Sequence, residues 1–157
     1  MFRAAYSSTY FIQGMLLGLL LSYYAFMMET KEFVLIATVF LLMWTIKPLY
    51  AIIIDRFNKL PPVLAGVFSM LFLVLPEREL PMWIAMLGGF GMGLIDITVD
   101  GWLTGLAKEN KVDPDFWAGL GFAMRSAGFL LVVVLTIVFT DNIVFLMAFV
   151  RTVGLIL

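Results

Sequence analysis

The sequence predicts an all-α protein, a polytopic bundle of about six transmembrane helices, and two observations carry this prediction. The 157 residues are 63% hydrophobic and 13% charged, with a mean hydropathy of +1.06. A soluble domain of this length has too little interior to bury so much apolar surface. The apolar residues also fall into runs close to the ~20 residues that cross a bilayer as a helix. We therefore expect one transmembrane domain over 1–157, a multi-pass integral membrane protein whose surroundings are the lipid bilayer.

The composition excludes several kinds of site. The chain has no cysteine and no histidine, and its net charge is -1. Disulfides, thiolate metal sites and cysteine nucleophiles are therefore impossible, and the usual neutral-pH proton shuttle is missing. The charge gives no electrostatic footprint for nucleic acid. We expect no metal, no other cofactor and no nucleic-acid partner.

Polar residues and prolines separate the first three apolar segments. The first predicted helix covers 9–27 and ends just before a short polar stretch. The second covers 33–54 and ends at Asp55. The third covers 61–75 and begins at Pro61, since proline is favoured in the first turn of a helix.

The other three segments follow the same logic. The fourth predicted helix covers 81–107 and is followed by a polar linker, 108–115. The fifth covers 116–139, and a polar turn separates it from the sixth, 143–157. The sixth is short for a span and lacks a basic flank, so we expect either a weak last helix or a fragment of a longer protein.

The basic residues of the short loops predict the orientation, because cytoplasmic loops are enriched in lysine and arginine. An N-terminus on the cytoplasmic side leaves only Lys31 and Arg78 outside. The same orientation places five bases inside: Arg3, Arg56, Lys59, Lys108 and Lys111. We therefore predict a cytoplasmic N-terminus, in the inner membrane if the source is bacterial.

Charged residues inside the apolar segments mark the candidate site. Asp96 and Asp100 lie four residues apart in LIDITVDGWL, so they share one face of a helix. At 1.5 Å per residue these acids, Lys47, Arg125 and Arg151 all lie roughly 12–18 Å from a helix end. Intramembrane charges usually face a bundle interior or a water-filled cavity and pair with one another. The five residues therefore predict a polar layer in the middle and inner half of the membrane.

Two stripes of small and charged residues predict how this layer is assembled. Small residues let helix backbones approach closely, so we expect the fourth and fifth helices to pack through these stripes. One stripe holds Gly89, Gly93, Asp96 and Asp100, and the other holds Ala118, Gly121, Arg125 and Gly128. Asp100 is then the expected ionised partner of Arg125, and Asp96 the proton acceptor. A purely structural ion-pair cluster is the alternative. Tyr10 and Gln13 share a face of the first helix and are expected as polar wall.

Three stretches of the sequence resemble a known family. IKPLYAIIIDRF resembles the first signature of major facilitator superfamily transporters, with Asp55, Arg56 and Lys59 in the short inner loop. IDITVDGWLTGLAKEN and GLGFAMRSAGFLLVVV resemble the fourth and fifth helices of the branch that contains AmpG-like muropeptide permeases and acetyl-coenzyme A transporters. The resemblance covers the whole chain as the N-terminal half of a twelve-helix transporter.

The resemblance implies a secondary transporter that works by alternating access, often driven by protons. Asp55, Arg56 and Lys59 are then the gating loop, and the partners are a small solute, protons and a second six-helix half or a second copy of the chain. Independently of the family, a membrane layer with Lys47, Arg125 and Arg151 suits an organic anion. Protonation of a membrane carboxylate is the expected coupling step, because burial and nearby charges change its affinity for the proton.

Two classes compete with a transporter. The chain is also compatible with a truncated or non-transporting membrane subunit. A membrane-embedded enzyme is less favoured, because the acids of DITVDG are separated by three residues where the CDP-alcohol phosphotransferase motif has two. Intramembrane aspartyl proteases need acids on two facing helices, whereas Asp96 and Asp100 share one. We therefore predict that the chain is not an enzyme.

Overall fold

A computed structural model of the chain describes residues 2–56, 60–71, 80–139 and 142–156. The described residues form helices and short connections and contain no strand. The prediction of an all-α protein is therefore confirmed for this part of the chain. In chain order the helices are α1 (Phe2–Gly18), α2 (Thr30–Thr45), α3 (Lys47–Ile54), α4 (Leu60–Leu71), α5 (Met82–Lys108), α6 (Pro114–Val138) and α7 (Ile143–Ile156).

Three of these helical rods are long and apolar enough to cross a membrane: Arg3–Tyr24, Met82–Lys108 and Pro114–Val138. The 27 residues of α5 extend over roughly 40 Å at 1.5 Å per residue, more than the ~30 Å hydrocarbon core. Helix α4 is apolar but shorter in its described part, and the end of the predicted segment 61–75 lies outside the described residues. These three helices are compatible with a membrane protein by their length and composition.

The first rod contains a change of helical hydrogen bonding. Helix α1 continues as a π-helix over Leu19–Tyr24 and ends with a short turn, Ala25–Met27. Ser22 Oγ donates a hydrogen bond to the Gly18 carbonyl oxygen (2.5 Å) at the start of the wider turn. The rod ends at Met27, the residue at which the first predicted segment ends, and it begins at Phe2, seven residues before the predicted start.

The second predicted helix, 33–54, is wrong as a single rod. The chain forms α2 and α3 instead, with Ile46 between them at φ -77° and ψ 21°. Proline two residues further on explains the break, because Pro48 has no N–H and its ring crowds the preceding turn. The break puts Lys47 at the start of α3, where its side chain turns toward α5.

The linker between α5 and α6 gives α6 a sharp start. Asn110 takes a positive φ of 53°, a left-handed conformation that asparagine tolerates well. Asp113 then caps α6, since its carboxylate accepts hydrogen bonds from the backbone N–H groups of Asp115 (3.0 Å) and Phe116 (3.4 Å). Pro114 occupies the first helical position. The helix therefore starts two residues before the predicted Phe116, because the cap and proline extend it.

Helix α6 packs mainly against α1, and glycines make the contact close. A Cβ at Gly128 would collide with the Phe11 carbonyl oxygen and lie 3.0 Å from the Met15 nitrogen. A Cβ at Gly14 would in turn collide with the Arg125 carbonyl oxygen. The two backbones touch without side chains between them, which draws Arg125 toward α1.

Helix α5 packs mainly against α2, α3 and α4. A Cβ at Gly89 would meet the Phe40 carbonyl oxygen of α2, and one at Gly93 would lie 2.7 Å from the Tyr50 ring of α3. The predicted packing of the two small-residue stripes against each other is therefore wrong, since α5 and α6 contact each other only sparsely. The glycines of the α5 stripe lie against α2 and α3, and those of the α6 stripe lie against α1. A small residue allows close approach of a helix but does not specify which helix approaches.

The outward face of α6 is apolar. Six of its large hydrophobic side chains are more than half exposed: Phe116, Phe122, Leu130, Val134, Ile137 and Val138. A soluble protein rarely shows such a continuous apolar surface. This face has the character of a helix surface in contact with lipid.

Candidate functional site

The carboxylate of Asp96 is the centre of the polar layer. Its side chain is 2% exposed and accepts three hydrogen bonds from three different helices. Trp44 Nε1 of α2 donates at 2.7 Å, Lys47 Nζ of α3 donates to the same oxygen, and Arg125 Nη2 of α6 donates at 2.7 Å to the other oxygen. Buried charges are stable only when paired and hydrogen-bonded, and Asp96 meets both conditions.

Arg125 connects Asp96 to the first helix. The same Nη2 also donates to Gln13 Oε1 at 2.8 Å. The guanidinium carbon lies 4.7 Å from the centre of the Tyr10 ring and 5.4 Å from the centre of the Trp44 ring. Aromatic faces attract cations at such distances. Arg125 is therefore held by a carboxylate, an amide and two aromatic rings.

Asp100 lies one helical turn after Asp96 and has a different environment. Its side chain reaches the surface of the bundle, and its Oδ1 accepts a hydrogen bond from the Tyr10 hydroxyl. Tyr10 in turn packs beside Tyr6, with ring centres 4.9 Å apart. The ring of Tyr10 packs against Arg125, the partner of Asp96, and its hydroxyl binds Asp100. Tyr10 therefore connects the surroundings of the two acids.

These groups surround a cavity of about 230 Å³. The cavity lies between α1, α3, α5 and α6. Its walls carry two acids, two cations and three aromatic rings, together with one alanine. The lining residues are Tyr6, Tyr10, Lys47, Asp96, Asp100, Ala118, Phe122 and Arg125.

Two buried donors near Asp96 have no hydrogen-bond partner among the described residues. They are Nε2 of Gln13 and Nε of Arg125. A buried donor without an acceptor costs roughly 1–3 kcal/mol. The polar layer therefore contains two buried N–H groups without an acceptor among the described residues, although both oxygens of Asp96 accept hydrogen bonds.

The predicted partner of Arg125 is corrected by this geometry. Arg125 forms its ion pair with Asp96 and not with Asp100. Asp96 faces the inside of the bundle, where Trp44 and Lys47 also reach it, whereas Asp100 lies one turn further along at the opening. The close contact between α6 and α1 places Arg125 beside Asp96, the more buried of the two acids.

The remaining predicted site residues divide into two groups. Lys47, Tyr10 and Gln13 all join the polar layer, as the sequence predicts. Asp55 and Arg56 are exposed beyond the end of α3 and do not line the cavity.

Two predicted residues cannot be compared in this way. Lys59 lies outside the described residues. The backbone of Arg151 belongs to α7, while its side chain also lies outside what the structure describes. Among the described residues, no group of three or more acidic, histidine or cysteine side chains is arranged to hold a metal ion.

Sequence reasoning missed three residues of the site: Trp44, Tyr6 and Phe122. Tyr6 precedes Tyr10 by four residues, so the two share a face of α1. Trp44 precedes Lys47 by three residues, which is one turn of the predicted helix 33–54, although the break at Ile46 places the two residues in α2 and α3. One turn before a predicted site residue is therefore the signal that finds the first two. Phe122 carries no comparable signal, because most apolar residues of α6 face outward.

The chain was also compared with known proteins, and no protein-family model, curated protein or solved structure matches it.

Proposed function

We propose that this chain is a six-helix membrane unit, the N-terminal half of a secondary active transporter of the major facilitator type, and that it carries a small organic solute with an anionic group. The polar cavity supports a solute pathway. Ionisable groups inside membrane helices are costly and cluster where solutes or protons pass. Four such groups line one cavity here.

One observation carries the proposal: a single buried carboxylate, Asp96, holds both Lys47 and Arg125. While Asp96 is ionised, both cations are occupied by it. When Asp96 takes up a proton, its hold on the two cations weakens, and a solute carboxylate replaces it as their partner. Proton uptake and anion binding are then linked, because each favours the other.

The groups that face Asp96 and the cavity decide how this exchange responds to pH. They are Tyr6, Tyr10, Lys47, Asp100 and Arg125. The two carboxylates, Asp96 and Asp100, are the candidates for proton exchange. Asp96 is the proposed proton site because it contacts both cations directly.

The proposal includes six spans, a cytoplasmic N-terminus and an inner loop at Asp55, Arg56 and Lys59 that steadies one gate conformation. Its partner is a second six-helix half or a second copy of this chain. Three helices of spanning length and the outward apolar face of α6 support the membrane part.

Uptake into proteoliposomes tests the proposal. Vesicles containing the purified chain are given labelled small organic acids, with and without an inward proton gradient. We expect gradient-driven accumulation by the unmodified chain. Asp96→Asn should exchange solute without concentrating it, and Asp115→Asn, an exposed acid outside the cavity, should behave as the unmodified chain. Accumulation by Asp96→Asn that still depends on the gradient would rule out the coupling role.

A non-transporting membrane subunit is the second candidate, and the complete pairing of Asp96 favours it. A carboxylate with three donors is also what a structural ion cluster needs. For this candidate, Asp96→Asn lowers the thermal stability of the chain and the unmodified chain shows no uptake of any acid tested.

A further inference from the structure

We infer that the solute of this cavity carries an ammonium group as well as a carboxylate, so that the site selects a zwitterion. The inference rests on the proposed function for the carboxylate and adds a second recognition point at Asp100. Three features of the cavity carry it: its two charged ends, its aromatic walls and its size.

The two ends of the cavity have opposite charge. At the inner end, which is buried within the bundle, Lys47 and Arg125 share the single carboxylate of Asp96, so two cations face one anion. At the outer end, which opens at the surface of the bundle, the exposed carboxylate of Asp100 accepts a hydrogen bond from Tyr10. Within the described part of the chain, no lysine or arginine nitrogen lies within ion-pair distance of Asp100. The outer end therefore carries one carboxylate that forms no ion pair with the described residues.

While Asp96 is ionised, the sum of these charges is zero, with two cations and two carboxylates. When Asp96 takes up the proton that admits a solute carboxylate, the inner end carries two positive charges and the outer end one negative charge. A solute that is only an anion would be repelled by the outer carboxylate. A solute with a carboxylate toward Lys47 and Arg125 and an ammonium toward Asp100 meets an opposite charge at each end. Asp96 and Asp100 are one turn apart, so the two solute charges lie about 6 Å apart along the helix axis.

The walls near Asp100 suit an ammonium group. Tyr6, Tyr10 and Phe122 line the same cavity, and aromatic faces attract organic cations. A carboxylate beside aromatic rings offers a protonated amine an ion pair and cation–π contacts.

The volume of the cavity suits a small molecule. About 230 Å³ is below the ~300 Å³ at which pockets for drug-sized ligands begin. An amino-acid-sized zwitterion fits this limit, with its two charges separated by a short chain or one ring.

Three probes that share one ring test the inference. They are 4-(aminomethyl)benzoate, which carries both charges, 4-methylbenzoate, which is only an anion, and 4-methylbenzylamine, which is only a cation. Binding to the purified full chain in detergent is measured by calorimetry at neutral pH. We expect the zwitterion to bind at least about tenfold more tightly than either single-charge probe, a gain of about 1.4 kcal/mol.

Asp100→Asn assigns the effect to the outer carboxylate. Because Asp100 is at the surface, we expect the variant to fold. It should bind 4-(aminomethyl)benzoate no better than 4-methylbenzoate, and it should bind 4-methylbenzoate more tightly than the unmodified chain does, because the carboxylate that repels an anion is gone. Asp115→Asn is the matched control and should change none of the three affinities.

The result separates this inference from the proposed function, because calorimetry does not require transport. Tighter binding of 4-methylbenzoate than of the zwitterion, or no binding of any probe, would overturn the inference while leaving anion transport open. Zwitterion preference without uptake into proteoliposomes would support the inference and remove the transport proposal.

Discussion

Arg125 of α6 donates to Oδ1 of Asp96 on α5 across 2.7 Å, and this contact joins two helices that otherwise hardly touch. Helix α6 belongs to a pair with α1, and α5 belongs to a group with α2, α3 and α4. The ion pair therefore lies between two packing groups. A movement of either packing group relative to the other therefore changes the distance between Arg125 and Asp96.

The Asp96–Arg125 pair should show strong energetic coupling. Asp96→Asn leaves Arg125 without its charged partner, and Arg125→Gln leaves the buried Asp96 carboxylate with Lys47 as its remaining ion-pair partner. The double variant should therefore be less damaging than the sum of the two. We expect a coupling energy of about 1–3 kcal/mol from a double-mutant cycle of unfolding free energies. The exposed pair Glu109 and Lys111, 2.6 Å apart, is the control and should show little coupling. Additive effects of the two buried substitutions would contradict the pairing.

Glycine substitutions on α6 should differ according to what faces them. Gly128→Ala places a methyl group against the backbone of α1 and should cost about 1–3 kcal/mol of unfolding free energy. Gly119→Ala is the matched control on the same helix, because a Cβ there meets nothing within 4 Å. It should be neutral or stabilising by up to about 1 kcal/mol through helix propensity. Thermal unfolding in detergent measures both. Equal effects of the two substitutions would disprove the close α1–α6 contact.

Tyr10 should have two separable roles. Tyr10→Phe removes the hydroxyl that binds Asp100 and keeps the ring against Arg125, so stability should change little while binding of the zwitterionic probe weakens. Tyr10→Leu removes both contacts and should also lower the melting temperature. Calorimetric binding and thermal unfolding of the two variants give the comparison. If Tyr10→Phe is as unstable as Tyr10→Leu, the ring contact with Arg125 has no stabilising role.

The predicted orientation is open to a direct chemical test. The chain has no native cysteine, so single cysteines can be labelled without background. We expect Lys31→Cys and Arg78→Cys to react with a membrane-impermeant maleimide from outside and Lys111→Cys to react only from the cytoplasmic side. Reaction of Lys111→Cys in intact cells, with Lys31→Cys protected, would show that the orientation is the opposite of the predicted one.

Much of the fold follows from local patterns. Apolar runs separated by polar residues predict the helices, and Asp113 with Pro114 shows why a helix start is readable two residues before the apolar run. Pro48 does not by itself predict the break at Ile46, because a proline near a helix end is compatible with either a kink or a continuous rod. Only the packing of Tyr50 and Lys47 against α5 separates the two cases.

The sequence by itself determined the helical class, the apolar character and the residues that carry charge within the helices. All of these depend on spacing along one chain, because a helix places residues three and four apart on one face. The tertiary structure decided which charges meet. Arg125 pairs with Asp96 because glycine contacts draw α6 onto α1. Lys47 reaches the same carboxylate because the helix breaks just before it. Small residues permit many neighbours, so the choice among them depends on the packing of the whole bundle and not on any single helix.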